Sequence, residues 1–142
     1  MYLLDANVVS EMMKGQEQQD RAFYDWTTQQ TASDFYISSF TLSEIYQGVY
    51  ILPPGKRRAA LYQAIKDIEH LFDTAIVPFD KASAERFGMI RERTKASGLT
   101  IDIADSYYLA AAEQNMAIIV SRNIKHFAGR TELELVNPWH HI

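Results

Sequence analysis

The stretch YLLDANVVSE, residues 2–11, joins a short run of large apolar residues directly to an acid, Asp5. A buried strand disfavours a charge at its end, because removing an ion from water costs much free energy unless a partner compensates it. Asp5 therefore either caps the helix that follows or points into a site that requires negative charge. The rest of the sequence bears on this choice.

The composition is that of an ordinary globular protein. With 142 residues, 47% of them apolar and 23% charged, the chain predicts one domain spanning residues 1–142 with a sizeable core. There are no cysteines, so disulfides and thiolate metal sites are excluded. We find no signal peptide and no apolar run long enough to cross a membrane, and we expect a cytoplasmic protein. The net charge of −4 gives little electrostatic support for nucleic-acid binding.

Short apolar runs alternate with longer stretches of helical spacing. Five runs rich in β-branched or aromatic residues predict strands, several of them buried on both faces: YLLD, FYIS, AIVPF, AIIVS and LELV. The stretches between them predict helices at 17–30, 41–50, 55–72, 80–97 and 101–116, with Gly98 closing the fourth. This alternation predicts an α/β fold with a parallel sheet and helices on both faces.

The acids stand at the ends of these elements. Asp5 ends the first strand, Glu44 lies in the first turn of the helix after the second, and Asn123 follows the fourth. Asp102 and Asp105 lie near the start of the helix before the fourth strand. Ligands of open parallel sheets bind beyond the carboxyl ends of the strands, where the strand order reverses. We call this side of the sheet the carboxyl edge, and the acids are expected there.

Each acid also has a purely structural explanation. Asp5 could cap the following helix, Glu44 could complete a capping box with Thr41, and Asp102 could be an N-cap. These explanations share a weakness at Asp105, which begins an Ala-rich, apolar helix that is expected to be buried. A carboxylate there requires a compensating cation. A hard divalent ion bound by carboxylate oxygens and water would supply it.

Four blocks of the sequence resemble the PIN-domain ribonucleases, and especially the VapC toxins of toxin–antitoxin pairs. The opening is similar to the family's hhLDTNVhSE, and ISSFTLSEIYQGV is similar to its second block. The third block is GLTIDIADSYYLAAAEQNMAIIVSRNIKHF, and LELVNPW resembles the family's usual close. The blocks occur in the family's order between residue 2 and about residue 139. NPWH and PFD resemble the FitB branch.

The resemblance implies a PIN-like fold, with a five-stranded parallel sheet in the order 3-2-1-4-5 flanked by helices. It implies a metal-dependent endoribonuclease that hydrolyses RNA phosphodiester bonds, with Asp5, Glu44 and Asp105 as catalytic residues and ligands of Mg²⁺ or Mn²⁺. The family's fourth position, often acidic, falls on Asn123, which departs from the pattern and weakens the expectation of a second tightly held ion. The resemblance further implies a homodimer sequestered by a small antitoxin.

Other residues are expected to have supporting roles or none. We expect Asn7 and Ser10 to orient waters or carboxylates, and Arg122 either to contact a phosphate or to form a salt bridge. Asp102 lies outside the family pattern, and we favour a helix cap over a fourth metal ligand. The histidines have poor spacing for a conventional site and are interpreted as surface or tail residues: His70, His126, His140 and His141.

The second predicted helix is unusually apolar towards its end. Together with the stripe of residues 55–72 it could form the wall of a groove, although core packing explains most of the pattern. The resemblance implies that, in VapC toxins, the C-terminal segment of the antitoxin packs into such a groove. The residues concerned are Tyr46, Val49, Tyr50, Ile51 and Leu52.

Three other classes of protein share parts of this pattern. A haloacid-dehalogenase-type phosphatase requires D-x-D after the first strand, whereas position 7 is Asn7. A response-regulator receiver requires a lysine after a late strand, and AIIVSRN has none. A non-catalytic RNA-binding or protein-interaction module on the same fold is opposed by the presence of Asp5, Glu44 and Asp105. A metal-binding titration separates this alternative from an enzyme.

Overall fold

The computed structural model describes residues 1–140, so the prediction for His141 lies outside the described residues. The sheet contains five parallel strands: β1 (Tyr2–Leu4), β2 (Phe35–Ser38), β3 (Ile76–Val77), β4 (Ile118–Val120) and β5 (Leu135–Val136). Their order is β3-β2-β1-β4-β5, which confirms the prediction. The order reverses between β1 and β4, and the ligand site of such a sheet is expected at that point.

Six α-helices accompany the sheet in the described part of the chain. They are α1 (Ala6–Met12), α2 (Arg21–Gln29), α3 (Ser39–Tyr50), α4 (Lys56–Leu71), α5 (Lys81–Ala96) and α6 (Ile103–Gln114). Short 3-10 turns at Gln16–Gln18, Ala32–Asp34, Ile124–His126 and Pro138–His140 complete the connections. None of the described helices is both long and apolar enough to cross a membrane.

The strand β1 contributes to two cores because its side chains alternate between the faces of the sheet. Leu4 packs with residues of α1 to α4 on one face. Leu3 packs with residues of α5 and α6 on the other. Both leucines have no exposed surface. Burial on both faces explains why the strand reads as an unbroken apolar run rather than as an alternating one.

A side-chain cap marks the start of four of the six described α-helices. The helix predicted at 17–30 begins instead at Arg21, because Asp20 accepts the backbone N–H of Phe23 at 3.1 Å. The preceding glutamines form a separate 3-10 turn. Asp80 caps α5 in the same way, and Gly98, with φ of 73°, closes it as predicted.

Two predicted strands are shorter in the structure than their apolar runs. AIVPF gives only Ile76–Val77, because Pro78 has no N–H to donate to a ladder. LELV gives only Leu135–Val136. Both are edge strands, and the longer buried strands of the sheet lie between them. The carboxyl ends of β1 and β4 therefore belong to interior strands, each of which is paired on both sides.

Candidate metal centre

Asp5 lies between the end of β1 and the start of α1. Its Oδ1 accepts the backbone N–H of Ala6 at 2.8 Å, whereas Oδ2 accepts the hydroxyl of Ser121 at 2.7 Å. Burial raises the pKa of the Asp5 carboxyl, and the hydrogen bond from Ser121 opposes that increase. The capping explanation therefore applies, since Asp5 begins α1, and Asp5 also lies at the switch point between β1 and β4, where the second explanation expects a site.

Ser121 is the centre of the hydrogen-bond network at this point, and sequence reasoning missed it. Its side chain is fully buried, and its Oγ accepts the backbone N–H of Asn123 at 3.0 Å while donating to Asp5. The signal that would have found it is the strand register. Leu4 pairs with Val120, so the residues that follow, Asp5 and Ser121, must be neighbours.

Asn7 joins the same network from the first turn of α1. Its amide Nδ2 lies 3.3 Å from both Oδ2 of Asp5 and Oγ of Ser121. Its Oδ1 accepts the backbone N–H of Arg122 at 3.0 Å. Asn7 thus ties the loop after β4 to the loop after β1. This placement is consistent with the predicted role in orienting a carboxylate.

Glu44 does not take part in a capping box, so the structural alternative considered for it does not hold. The N-cap of α3 is Ser38, whose Oγ accepts the backbone N–H of Thr41 at 3.0 Å. Thr41 is therefore inside the helix, and Glu44 lies in its second turn rather than its first. Burial, together with the charges of Asp5 and Asp105, raises the pKa of Glu44 to about 7. The Glu44 carboxylate therefore does not cap α3.

Asp105 lies in the first turn of α6, half-buried, with its Oδ2 3.1 Å from Nδ1 of His126. Burial raises the pKa of the Asp105 carboxyl; His126 opposes this increase, while the charges of Asp5 and Asp102 add to it. The interpretation of His126 as a surface residue is incomplete, because its half-exposed side chain contacts a predicted site residue. His70 and His140 are exposed, as expected.

Asp102 occupies the N-cap position of α6, as favoured, but its carboxylate accepts no capping hydrogen bond. Only its backbone carbonyl caps, accepting the N–H of Ser106 at 2.9 Å and its hydroxyl at 2.8 Å. A capping carboxylate would bind an N–H two or three residues ahead, next to the like charge of Asp105, and repulsion opposes that geometry. The side chain is exposed instead.

We expect Asp102→Asn to change the stability of the protein by less than about 0.5 kcal/mol, because no side-chain capping bond is lost. Mn²⁺ affinity should change by less than roughly threefold, since an exposed charge acts on the ion only through screened solvent. Calorimetric titration measures this change. A weakening of tenfold or more would make Asp102 a ligand.

The remaining predicted residues lie around this centre. Ser10 is exposed and lines a groove that also contains Glu44. Asn123 is exposed, and its backbone rather than its amide contacts Ser121. The guanidinium of Arg122 lies 5.0 Å from the ring centroid of Trp139 and forms no salt bridge within residues 1–140.

The chemistry of the donor set suits a divalent ion. Asp5, Glu44 and Asp105 supply the oxygen donors that Mg²⁺ and Mn²⁺ prefer. Within the described residues, no three His, Asp or Glu side chains are grouped closely enough to ligate one ion directly. The charges of Asp5 and Asp105 nevertheless reach Glu44, because both of them raise its pKa. The arrangement fits an ion held partly through water, as is usual for Mg²⁺.

Comparison with known proteins identifies the fold family. The family model for the PIN domain matches residues 2–129 of the chain. The chain belongs to the PIN domain family. The resemblance drawn from the four sequence blocks is thereby confirmed. In this PIN domain the three acids lie directly after β1, within α3 and within α6.

Relatives of this PIN domain match it over nearly its whole length. It is 33% identical over 141 residues to Toxin FitB of Neisseria gonorrhoeae, covering 99% of each chain. It is 29% identical over 140 residues to VapC ribonuclease Y4jK of Sinorhizobium fredii, covering 98% of each chain. The crystal structure of FitAcB from Neisseria gonorrhoeae matches with a TM-score of 0.90 and 32% identity, over 99% of this chain and 100% of that one.

Proposed function

We propose that this PIN domain is the toxin of a toxin–antitoxin pair and acts as a metal-dependent endoribonuclease on RNA. One observation carries the proposal: Asp5, Glu44 and Asp105, from three different parts of the chain, lie close enough beside the switch point of the sheet that the charges of Asp5 and Asp105 raise the pKa of Glu44. A structural role does not require that arrangement, which costs free energy in the absence of a cation. The names of the relatives, Toxin FitB and VapC ribonuclease, support the same assignment.

Each residue of the centre has a separate task in this proposal. When bound, Mg²⁺ or Mn²⁺ would lower the pKa of a water and neutralise charge on the phosphodiester. Asp5, Glu44 and Asp105 would hold the ion. Ser121 and Asn7 fix the orientation of the Asp5 carboxylate through its Oδ2. The exposed guanidinium of Arg122, which packs over the ring of Trp139, would contact a substrate phosphate.

We expect cleavage of total RNA by the purified protein to require Mg²⁺ or Mn²⁺ and to fall at least roughly 100-fold in excess EDTA. Returning Mn²⁺ in excess over the chelator should restore it. The measurement is gel or sequencing read-out of the 5′ ends of the products. Full cleavage in EDTA would exclude the metal-dependent mechanism, and a protein that neither binds the metal nor cleaves RNA would favour the non-catalytic module.

We also propose where the antitoxin binds. A groove of about 490 Å³ lies between α1, α3 and α4, and both Ser10 and Glu44 line it. Its walls are largely apolar, formed by Met13, Ile45, Val49 and Leu61 among others. An apolar peptide segment seated there would also cover the carboxylate of Glu44. The solved structures of FitAcB and FitAB support a protein partner.

We propose a homodimer held by apolar helical surface. The side chains of Tyr50 and Ile51, at the end of α3, are 53% and 74% exposed. Light scattering of the purified chain should give twice the mass of 16.3 kDa, and expression without the antitoxin should slow the growth of a host cell. A monomer that does not affect growth would contradict the toxin assignment while leaving the nuclease assignment open.

A further inference from the structure

Asp105 has one side-chain partner among the described residues, and it is a histidine rather than another acid. Nδ1 of His126 lies 3.1 Å from Oδ2 of Asp105. The Asp105 side chain is 20% exposed and that of His126 is 50% exposed. The contact therefore lies at the surface of the metal centre, with the side chain of Asp105 more buried than that of His126. It joins α6 to the 3-10 turn that follows β4.

The neighbouring residues hold this contact in place from the core. Tyr108, one turn beyond Asp105 on α6, packs its ring 5.3 Å from that of Phe127, the residue after His126. Both rings are buried, and the hydroxyl of Tyr108 donates to the backbone carbonyl of Leu3 in β1. A buried aromatic pair thus fixes the distance between α6 and the turn, and the Asp105–His126 pair lies beside it.

The backbone of the turn is fixed independently of the imidazole. The N–H of His126 donates to the carbonyl of Asn123 at 3.0 Å, and the N–H of Phe127 donates to that of Ile124 at 3.0 Å. The backbone N–H of Asn123 is in turn held by Ser121, the residue that orients Asp5. The same loop therefore positions the hydroxyl of Ser121 on Asp5 and the imidazole of His126 within 3.1 Å of Asp105.

We propose that His126 is a positioning residue for the metal centre, whose Nδ1–H fixes Oδ2 of Asp105 and thereby presents Oδ1 to the ion. The inference rests on the proposed metal-dependent function and extends it to a residue outside the three acids. Its physical basis is that a carboxylate held by one donor loses rotational freedom and keeps one oxygen for the ion. Hydrogen bonds from outside the ligand shell commonly change metal affinity by about 10- to 100-fold.

The geometry distinguishes between replacements of His126. Asparagine places its Nδ2 close to the position of the imidazole Nδ1, whereas the amide of glutamine corresponds to Nε2, and alanine supplies no donor. We expect the Kd for Mn²⁺, measured by calorimetry, to rise about tenfold in His126→Ala and His126→Gln. In His126→Asn it should stay within about threefold of the original value. Lys125→Ala, an exposed neighbour in the same turn, is the matched control and should not change it.

A second measurement uses the metal-free protein and needs no activity. If Nδ1 donates to Asp105, neutral His126 carries its proton on Nδ1, which nitrogen NMR of the imidazole detects directly. For the neutral imidazole we expect the Nδ1–H form to predominate. In Asp105→Asn we expect either a mixture of the Nδ1–H and Nε2–H tautomers of His126 or mainly the Nε2–H tautomer.

The outcomes separate this inference from the proposed function. Unchanged Mn²⁺ affinity in His126→Ala, or equal loss in His126→Asn and His126→Ala, would overturn the positioning role even if the wild-type protein cleaves RNA. An Nε2–H tautomer in the metal-free protein would overturn it as well. Conversely, a protein that binds Mn²⁺ with the predicted order of affinities but cleaves no RNA supports the inference and contradicts the proposed enzyme.

Discussion

Replacing Asp5 by asparagine is expected to reduce RNA cleavage by on the order of 10³-fold, which corresponds to about 4 kcal/mol of transition-state stabilisation. The substitution keeps the size of the side chain and an oxygen that can accept the N–H of Ala6. It removes the charge that would hold the ion. Because Asn caps helices about as well as Asp, α1 should remain folded.

The matched control for this substitution is Asp20→Asn. Asp20 is also a helix N-cap, and it accepts the N–H of Phe23 at 3.1 Å, but it starts α2, away from the three acids. We expect the single-turnover cleavage rate to fall in Asp5→Asn and to stay at the wild-type value in Asp20→Asn. Circular dichroism tests whether both variants are folded. Wild-type cleavage by Asp5→Asn would show that this acid has been assigned wrongly.

Glu44→Gln is expected to abolish cleavage and, in EDTA at pH 8, to stabilise the protein by about 1–3 kcal/mol. The reason is that the pKa of Glu44 is raised from 4.5 to about 7 by burial and by the charges of Asp5 and Asp105. At pH 8 the metal-free protein therefore carries a charge that its fold disfavours. The amide removes that charge, and the upper value is reduced by partial exposure to solvent.

The sign of the pH dependence follows from the same shift. A carboxyl whose pKa is higher in the folded state contributes stability below pH 4.5, and this stability is lost as the pH rises through about 7. The raised pKa values of Asp5 and Asp105 act in the same direction. The free energy of unfolding of the metal-free protein should therefore fall between pH 5 and pH 8, and less steeply in Glu44→Gln.

Urea denaturation in EDTA at the two pH values measures this difference. Glu85→Gln, an exposed glutamate of α5, is the control and should leave the pH dependence unchanged. Lower stability of Glu44→Gln at pH 8 would contradict the prediction, because it would mean that the ionised carboxylate makes a favourable contact in the metal-free protein.

The architecture could be predicted from the sequence because its determinants are local. Apolar runs of four or five residues alternating with helical stripes indicate a parallel sheet, and burial on both faces of β1 appears directly in YLLD. Helix ends marked by strong local signals, such as Gly98, were also predicted correctly. The position of Asp5 immediately after a buried strand is enough to place it at the carboxyl edge of a parallel sheet.

The contacts of the site were decided only by the tertiary structure. The sequence left open a capping box of Glu44 with Thr41 as an alternative to a metal ligand, yet Ser38 caps α3 and the helix does not use the Glu44 carboxylate. It gave no sign of Ser121, whose bond to Asp5 spans 116 residues and follows from the pairing of β1 with β4. Nor did it distinguish His126 from the other histidines. Capping depends on which of several nearby acceptors reaches an N–H first, and hydrogen bonds between distant residues depend on strand register and helix packing, so neither is fixed by residue type and spacing alone.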